Sequence, residues 1–191
     1  MRIGVLAIQG DYDAHWRVLE KLEANPFYVR KPEELNQAEG LVIPGGESST
    51  FLKLLQRDGF FDQLKNFVRA KPAFGTCAGA ILLANEVVGP EQSSLGVLDV
   101  RVRRNAYGRQ VESSIKQGTM KDSCLEMVFI RAPKIERVGR DVEVLALDGD
   151  DPVLVRERNV MAATFHPELT DDTRVHEAFL SLVGSGHNLF T

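Results

Sequence analysis

The first half of the chain alternates between short apolar runs and segments in which apolar residues recur at helical spacing. The apolar runs predict four strands, over residues 2–8, 27–29, 40–43 and 72–74. The helical spacing predicts four helices, over residues 14–22, 50–55, 60–68 and 80–84. Apolar strands that alternate with helices are typical of a parallel sheet that is covered on both faces.

The second half has a different pattern, with closely spaced strands separated by turns. Its apolar runs predict strands over residues 97–102, 111–115, 127–130, 142–147, 152–156 and 160–165. Turn residues at Tyr107-Gly108 and at 148–150 indicate hairpins that extend the sheet, and a last helix is predicted over about 173–183. With no repeat or linker, we expect residues 1–191 to form a single α/β domain with an open, mixed, mainly parallel sheet and helices on both faces.

The segment Gly75-Thr76-Cys77-Ala78-Gly79 has the spacing of a nucleophile elbow. A glycine two residues before and two residues after a nucleophile permits a strained strand-to-helix turn, at which substrate can reach the side chain. Cys77 is therefore the predicted nucleophile, with the N–H groups of the following helix aimed at its sulfur. The alternative is a buried cysteine that acts only as a small apolar residue.

A thiol nucleophile needs a base, and the base needs a group that orients it. His166 follows the strand predicted over 160–165, and Pro167 favours an extended backbone in which His166 and Glu168 point to the same side. Glu168 could then fix the imidazole tautomer so that the other ring nitrogen faces Cys77. We interpret His15, His176 and His187 as surface residues or as helix packing.

The segment Pro44-Gly45-Gly46-Glu47-Ser48-Ser49 closes one strand and opens a helix. Its glycines permit close approach of the backbone, so the N–H of Gly46 could join that of Ala78 as an oxyanion donor. The alternative is a tight turn followed by a serine N-cap. A phosphate loop is disfavoured, because no Gly-Lys-Ser/Thr follows and Glu47 would repel phosphate.

Composition narrows the class of protein. The 191 residues are 43% hydrophobic and 26% charged with a net charge of −4, which gives no reason to expect nucleic acid or an anionic membrane as a partner. No apolar run reaches the roughly 20 residues of a membrane span, and we expect a cytoplasmic protein. The cysteines, Cys77 and Cys124, cannot form a disulfide framework, and no metal-binding spacing is present. We expect no metal and no cofactor, and we interpret Cys124 as structural.

The chain resembles the class I (triad) glutamine amidotransferases in three motifs and in their order and spacing. These motifs are the glycine turn at 44–49, the cysteine elbow at 75–79 and the segment His-Pro-Glu-Leu-Thr at 166–170. Within that family, Gln9-Gly10, Arg104-Asn105, the segment 107–110 and Phe129-Ile130-Arg131-Ala132-Pro133 are similar to the glutaminase subunit of pyridoxal 5′-phosphate synthase. The resemblance covers nearly the whole chain and implies a flavodoxin-like fold.

The resemblance implies hydrolysis of L-glutamine through a thioester on Cys77, with His166 as base and Glu168 as its orienting group. Gly46 and Ala78 would hold the oxyanion. The residues implied to bind substrate are Gly46, Glu47, Ser48, Arg104, Ile130 and Arg131. The implied partner is a (β/α)₈-barrel synthase subunit that takes up the ammonia within a large hetero-oligomer, with Gln9-Gly10 conveying its stimulation.

Three alternatives stay open from the sequence. The first is a glutaminase subunit that serves another synthase, such as imidazole glycerol phosphate synthase. The second is a hydrolase or chaperone of the related cysteine-elbow superfamily, although there a histidine commonly follows the nucleophile and here Ala78 does. The third is a binding module without activity, which an intact Cys77, His166 and Glu168 disfavours.

Overall fold

The computed structural model describes residues 1–106 and 113–186, in which strands and helices alternate. The strands are β1 (Arg2–Leu6), β2 (Asn25–Val29), β3 (Gly40–Ile43), β4 (Ala73–Thr76), β5 (Ala84–Val88), β6 (Leu98–Arg103), β7 (Ser114–Met120), β8 (Ser123–Phe129), β9 (Lys134–Val138), β10 (Glu143–Asp148), β11 (Asp151–Glu157) and β12 (Val160–Ala163). The α-helices are α1 (Tyr12–Lys21), α2 (Ser48–Arg57), α3 (Phe60–Ala70), α4 (Ala78–Leu83) and α5 (Arg174–Gly186). Two 3₁₀ turns cover Pro32–Gln37 and Pro167–Leu169.

The main sheet has the strand order β2-β1-β3-β4-β12-β11-β10-β7-β8. The pairs from β2 to β12 are parallel, and those from β12 to β8 are antiparallel. In the parallel part, Leu41 and Val42 of β3 lie opposite Ala73 and Phe74 of β4, and Ala163 of β12 lies opposite Thr76. The carboxyl ends of β1, β3, β4 and β12 therefore meet at one edge of the sheet.

Helices cover both faces of this sheet because each helix has one apolar face. Helix α3 buries Phe60, Leu64, Phe67 and Val68, which lie at helical spacing and pack with α2 and α4 on one face. On the other face, α1 contributes Leu19, and α5 contributes residues that include Phe179. The predicted open, mixed sheet with helices on both faces is confirmed, with four parallel and four antiparallel strand pairs.

The structure corrects the prediction that all later strands extend one sheet. Residues 84–88 follow α4 as strand β5, which pairs in parallel with β6, and β6 pairs with β9 to form a separate three-stranded sheet. Strand β9 was not predicted, because its apolar Ile135 lies between charged residues on a half-exposed strand. The hairpin formed by β10 and β11, with its turn at 148–150, is confirmed. Strands β7 and β8 form a further hairpin, whose turn at Lys121-Asp122 was not predicted.

The predicted boundaries differ from the observed ones most in β7 and β8. These strands run over Ser114–Met120 and Ser123–Phe129, with polar residues along their exposed face, so their apolar runs understated their length. The predicted turn at Tyr107-Gly108, the start of the strand predicted over 111–115, and His187 lie outside the described residues.

Candidate active site

The segments that follow four parallel strands converge on one pocket of about 230 Å³. They come from the carboxyl ends of β1, β3, β4 and β12, where open α/β sheets bind their ligands. This volume is below that of drug-sized sites and suits a small metabolite. The predicted site residues that line it are Gly46, Glu47, Ser48, Cys77, Arg104, Ile130, Arg131 and His166.

Cys77 stands at the predicted elbow between β4 and α4. Its backbone has φ 47° and ψ −101°, a strained conformation for a residue with a side chain. The sharp turn brings β4 and α4 into contact, so glycine is required at Gly75: a Cβ there would lie 2.6 Å from the carbonyl carbon of Gly79. The Cys77 N–H donates to the Ala163 carbonyl at 2.8 Å, which ties the elbow to the end of β12.

His166 and Glu168 form the predicted pair. The Nδ1–H of His166 donates to Glu168 Oε1 at 2.7 Å, which leaves Nε2 as the ring nitrogen available to Cys77. The His166 backbone N–H donates to Val128 O at 2.8 Å and fixes His166 to β8. We expected an extended backbone from His166 to Glu168, and this prediction is wrong after His166, because Pro167–Leu169 form a 3₁₀ turn. The turn brings the Glu168 carboxylate back to the imidazole of His166.

The electrostatics of this pair favour a charged imidazole. Burial opposes the charge, but the hydrogen bonds with Cys77 and Glu168 outweigh it and raise the pKa of His166 to about 10. Burial also opposes the Glu168 carboxylate, yet His15 and His166 lower the pKa of that carboxyl below its ordinary value. At neutral pH the site thus holds an imidazolium beside a carboxylate, with a proton ready for a leaving group.

The turn after β3 lies against Cys77 and His166. A Cβ on Gly45 would lie 2.5 Å from His166 Cε1 and 3.4 Å from Cys77 Cβ, so only glycine fits between them and the backbone. The Gly45 carbonyl in turn lies against Gly10, where a Cβ would approach it to 1.8 Å. The segment after β1 therefore supports the peptide that carries the Gly46 N–H.

Glu47, and not a serine, caps helix α2. Its carboxylate accepts from the backbone N–H groups of Ser49 at 3.2 Å and Thr50 at 2.7 Å. Burial acts against the ionised form, but the bonds from Ser49 and Thr50 prevail and lower the pKa of Glu47 to about 2. The Glu47 carboxylate is therefore fixed at the rim of the pocket.

The remaining predicted substrate-binding residues come from three separate segments. Arg104 is largely buried, with Nη2 3.5 Å from Glu47 Oε1, and Arg131 has a positive φ of 46° at the pocket edge. Ile130 places its carbonyl 3.9 Å from Cys77 Sγ, within reach of the thiol. The Ser48 hydroxyl donates to Gln92 Oε1 at 3.1 Å.

Ala78, the predicted oxyanion donor, follows Cys77 as the first residue of α4, where backbone N–H groups lack helical acceptors.

Two histidines lie behind the site, and their contacts with it were not predicted from the sequence. His15 on α1 and His176 on α5 are both 0% exposed, so the surface interpretation is wrong and the packing interpretation holds for both. Beyond packing, His15 Nε2 lies 3.4 Å from Glu168 Oε2, directly behind the proposed triad. The available signal was the spacing of His15 with Leu19 on the apolar face of α1.

Cys124 lies far less buried than Cys77. It is exposed on β8, where its thiol lies 2.8 Å from Gln117 Oε1 on the neighbouring strand. Within residues 1–106 and 113–186, no group of three or more His, Cys, Asp or Glu side chains is arranged to hold a metal ion. In the same residues, no helix is both long enough and apolar enough to cross a membrane.

Comparison with known proteins identifies the family. The model of the SNO glutamine amidotransferase family matches residues 5–185. The chain belongs to the SNO glutamine amidotransferase family. Pyridoxal 5′-phosphate synthase subunit PdxT of Koribacter versatilis is 62% identical over 98% of both chains. The corresponding subunit of Thermosipho africanus is 52% identical over 96% of this chain and 99% of its own.

A solved structure agrees with this assignment. A crystal structure of a glutamine amidotransferase, 49% identical in sequence, superposes with a TM-score of 0.89 over 95% of this chain and 98% of the other. The SNO family match and this likeness confirm both the resemblance inferred from the motifs and the class I glutamine amidotransferase fold. The chain is thus an enzyme of the glutamine amidotransferase class.

Proposed function

We propose that this SNO-family glutamine amidotransferase hydrolyses L-glutamine through a thioester on Cys77, with His166 and Glu168 completing the triad. The chain belongs to the SNO family, and the relatives that match nearly its full length are named as subunits of pyridoxal 5′-phosphate synthase. The chain is therefore the glutaminase subunit of that synthase. The observation that carries the assignment of the triad is the 2.7 Å bond from His166 Nδ1 to buried Glu168, beside a cysteine on a strained elbow.

The reaction follows from the positions of these groups. His166 holds the proton of the Cys77 thiol while the sulfur attacks the side-chain amide carbon of glutamine. The carbonyl oxygen becomes an oxyanion that the N–H groups of Gly46 and Ala78 stabilise. As the C–N bond breaks, His166 gives its proton to the departing ammonia. Water activated by His166 then attacks the thioester, which releases glutamate and restores the thiol.

The α-amino acid end of glutamine would lie toward the rim of the pocket. Its carboxylate suits a guanidinium from Arg104 or Arg131, and its ammonium suits the Glu47 carboxylate, which stays ionised at neutral pH. Ser48 and Ile130 complete the proposed contacts. Arg104 is the stronger anchor of the two arginines because its side chain is only 12% exposed.

Free ammonia is mostly protonated at neutral pH, so its release is useful only to a partner. We assign this role to a barrel-shaped synthase subunit in a cytoplasmic hetero-oligomer, and we expect it to stimulate the glutaminase through Gln9-Gly10. Two contacts support that route: the Glu47 N–H donates to Gln9 Oε1 at 3.3 Å, and Gly10 lies against the Gly45 carbonyl.

Glutamate release with and without the synthase subunit tests this proposal. We expect wild-type activity to rise when the synthase subunit is added, and Cys77→Ala to abolish it under both conditions. Cys124→Ala, which removes an exposed thiol, is the matched control and should behave as wild type. Undiminished release from Cys77→Ala would overturn the nucleophile, and an equal rate with and without the partner would overturn the coupling.

A further inference from the structure

A chain of buried polar groups lies behind the proposed triad and has no part in the mechanism above. His15 Nε2 lies 3.0 Å from Thr76 Oγ1 and 3.4 Å from Glu168 Oε2, and His15 Nδ1 lies 3.0 Å from His176 Nε2. All of these side chains are fully or almost fully buried. The groups link α1, β4, α5 and the turn that carries Glu168, so their positions depend on one another.

Of the two carboxylate oxygens of Glu168, Oε2 is the one that is not bonded to His166. Glu168 Oε1 accepts a hydrogen bond from His166. Within the described residues Glu168 Oε2 has no hydrogen bond, although the side chain is 0% exposed. A buried carboxylate oxygen without a donor is costly, and an unrestrained carboxylate can rotate away from the imidazole. The ring nitrogen His15 Nε2 lies 3.4 Å from this oxygen.

The hydrogen-bonding pattern distinguishes the two neutral tautomers of His15. With the proton on Nε2, the single N–H of His15 lies between Thr76 Oγ1 at 3.0 Å and Glu168 Oε2 at 3.4 Å, and Nδ1 accepts from His176 Nε2–H. Within the described part of the chain His176 Nδ1 has no partner, and in this arrangement it is a bare lone pair. In the other tautomer the proton of His15 is on Nδ1, so His176 Nδ1 becomes a buried N–H without an acceptor. The lone pair of His15 Nε2 then faces the Glu168 carboxylate, and this arrangement has the higher free energy.

We propose that His15 is a positioning residue that donates from Nε2 to Glu168 Oε2 and so keeps Oε1 on His166 Nδ1. This inference rests on the proposed triad. Burial lowers the pKa of His15, which keeps it a neutral donor in the presence of its charged neighbours Glu168, His166 and Asp11. His15 touches neither glutamine nor the reacting atoms, so its effect belongs to the rate of the chemical step and not to substrate binding.

The kinetic test uses the enzyme together with its synthase subunit and measures kcat and KM for glutamine. We expect His15→Phe, which keeps a ring against Phe74, to lower kcat roughly tenfold and to leave KM within about twofold. His15→Gln, which restores a donor, should recover most of the lost rate. A merely structural role predicts the reverse order, because phenylalanine suits a buried apolar site better than glutamine.

A matched control separates positioning from packing. Phe179→Leu removes volume from the same apolar cluster without touching Glu168, and we expect its kcat to stay near that of wild type. The proposal is overturned by a His15→Phe kcat within about twofold of wild type, by a His15→Gln rate no better than that of His15→Phe, or by an equal loss in Phe179→Leu.

A measurement on the wild-type protein keeps the proposal testable if the variants do not fold. The ring nitrogens of ¹⁵N-labelled histidine report the tautomer by NMR, and we expect the proton of His15 on Nε2; a proton on Nδ1 overturns the proposal. Cys77→Ala measured in parallel separates the two levels of inference. An inactive Cys77→Ala beside an unaffected His15→Phe refutes the positioning role alone, whereas an active Cys77→Ala refutes the proposed triad.

Discussion

Replacing Glu168 by glutamine tests the proposed triad at its least exposed member. The substitution preserves shape and removes the negative charge that His166 Nδ1–H meets at 2.7 Å. Without that charge the imidazolium next to Cys77 is less stable, and the amide can hold the ring in the wrong tautomer. The proton needed by departing ammonia is then less available.

The raised pKa of His166 sets the order of magnitude of this effect. The pKa of His166 is raised from 6.5 to about 10 even though burial opposes the charge, a difference of roughly 5 kcal/mol at about 1.36 kcal/mol per pKa unit. Cys77 and Glu168 share this stabilisation. If Glu168 supplies half, its charge contributes about 2 kcal/mol, and its loss lowers kcat roughly 30-fold.

The assay is glutamate release at neutral pH in the presence of the synthase subunit, with kcat and KM determined separately. We expect the loss in kcat, with KM for glutamine little changed, because Glu168 is buried behind His166. Glu177→Gln, an isosteric change at an exposed position of α5, is the matched control. A Glu168→Gln kcat within about fivefold of wild type would refute the reasoning.

Three further predictions concern the neighbouring groups. Gly10→Ala should lower kcat at least tenfold, since its Cβ would lie 1.8 Å from the Gly45 carbonyl at φ +86°; an unchanged kcat contradicts this contact. Arg104→Met should raise KM for glutamine about tenfold with kcat retained, and an unchanged KM in steady-state kinetics removes it as an anchor. Burial lowers the pKa of His176 from 6.5 to about 3, so the unfolded chain takes up a proton below pH 6.5 that the folded one does not. Stability is therefore lost as pH falls, by about 2 kcal/mol between pH 6.5 and pH 5 for this group, and urea unfolding should show that His176→Phe is less sensitive to acid.

Much of the fold follows from local patterns. The apolar runs of β1, β3 and β4 and the helical spacing of α3 are visible in the sequence because each element buries one face or both. Strand β9 and the outer parts of β7 and β8 are not visible in this way, since their polar positions face outward and dilute the apolar pattern. The separation of β5, β6 and β9 into a second sheet depends on long-range pairing that no local pattern encodes.

The sequence by itself determined which groups are proposed to react: the glycines around Cys77 and the pair His166 and Glu168 are short-range features with a direct chemical meaning. Only the tertiary structure decided how those groups are held. The register of β12 on β4 brings the elbow and the base together, and the packing of α1 and α5 buries His15 and His176 behind Glu168. Burial, tautomers and pKa values depend on neighbours that are distant along the chain, which is why the sequence names the triad but not its support.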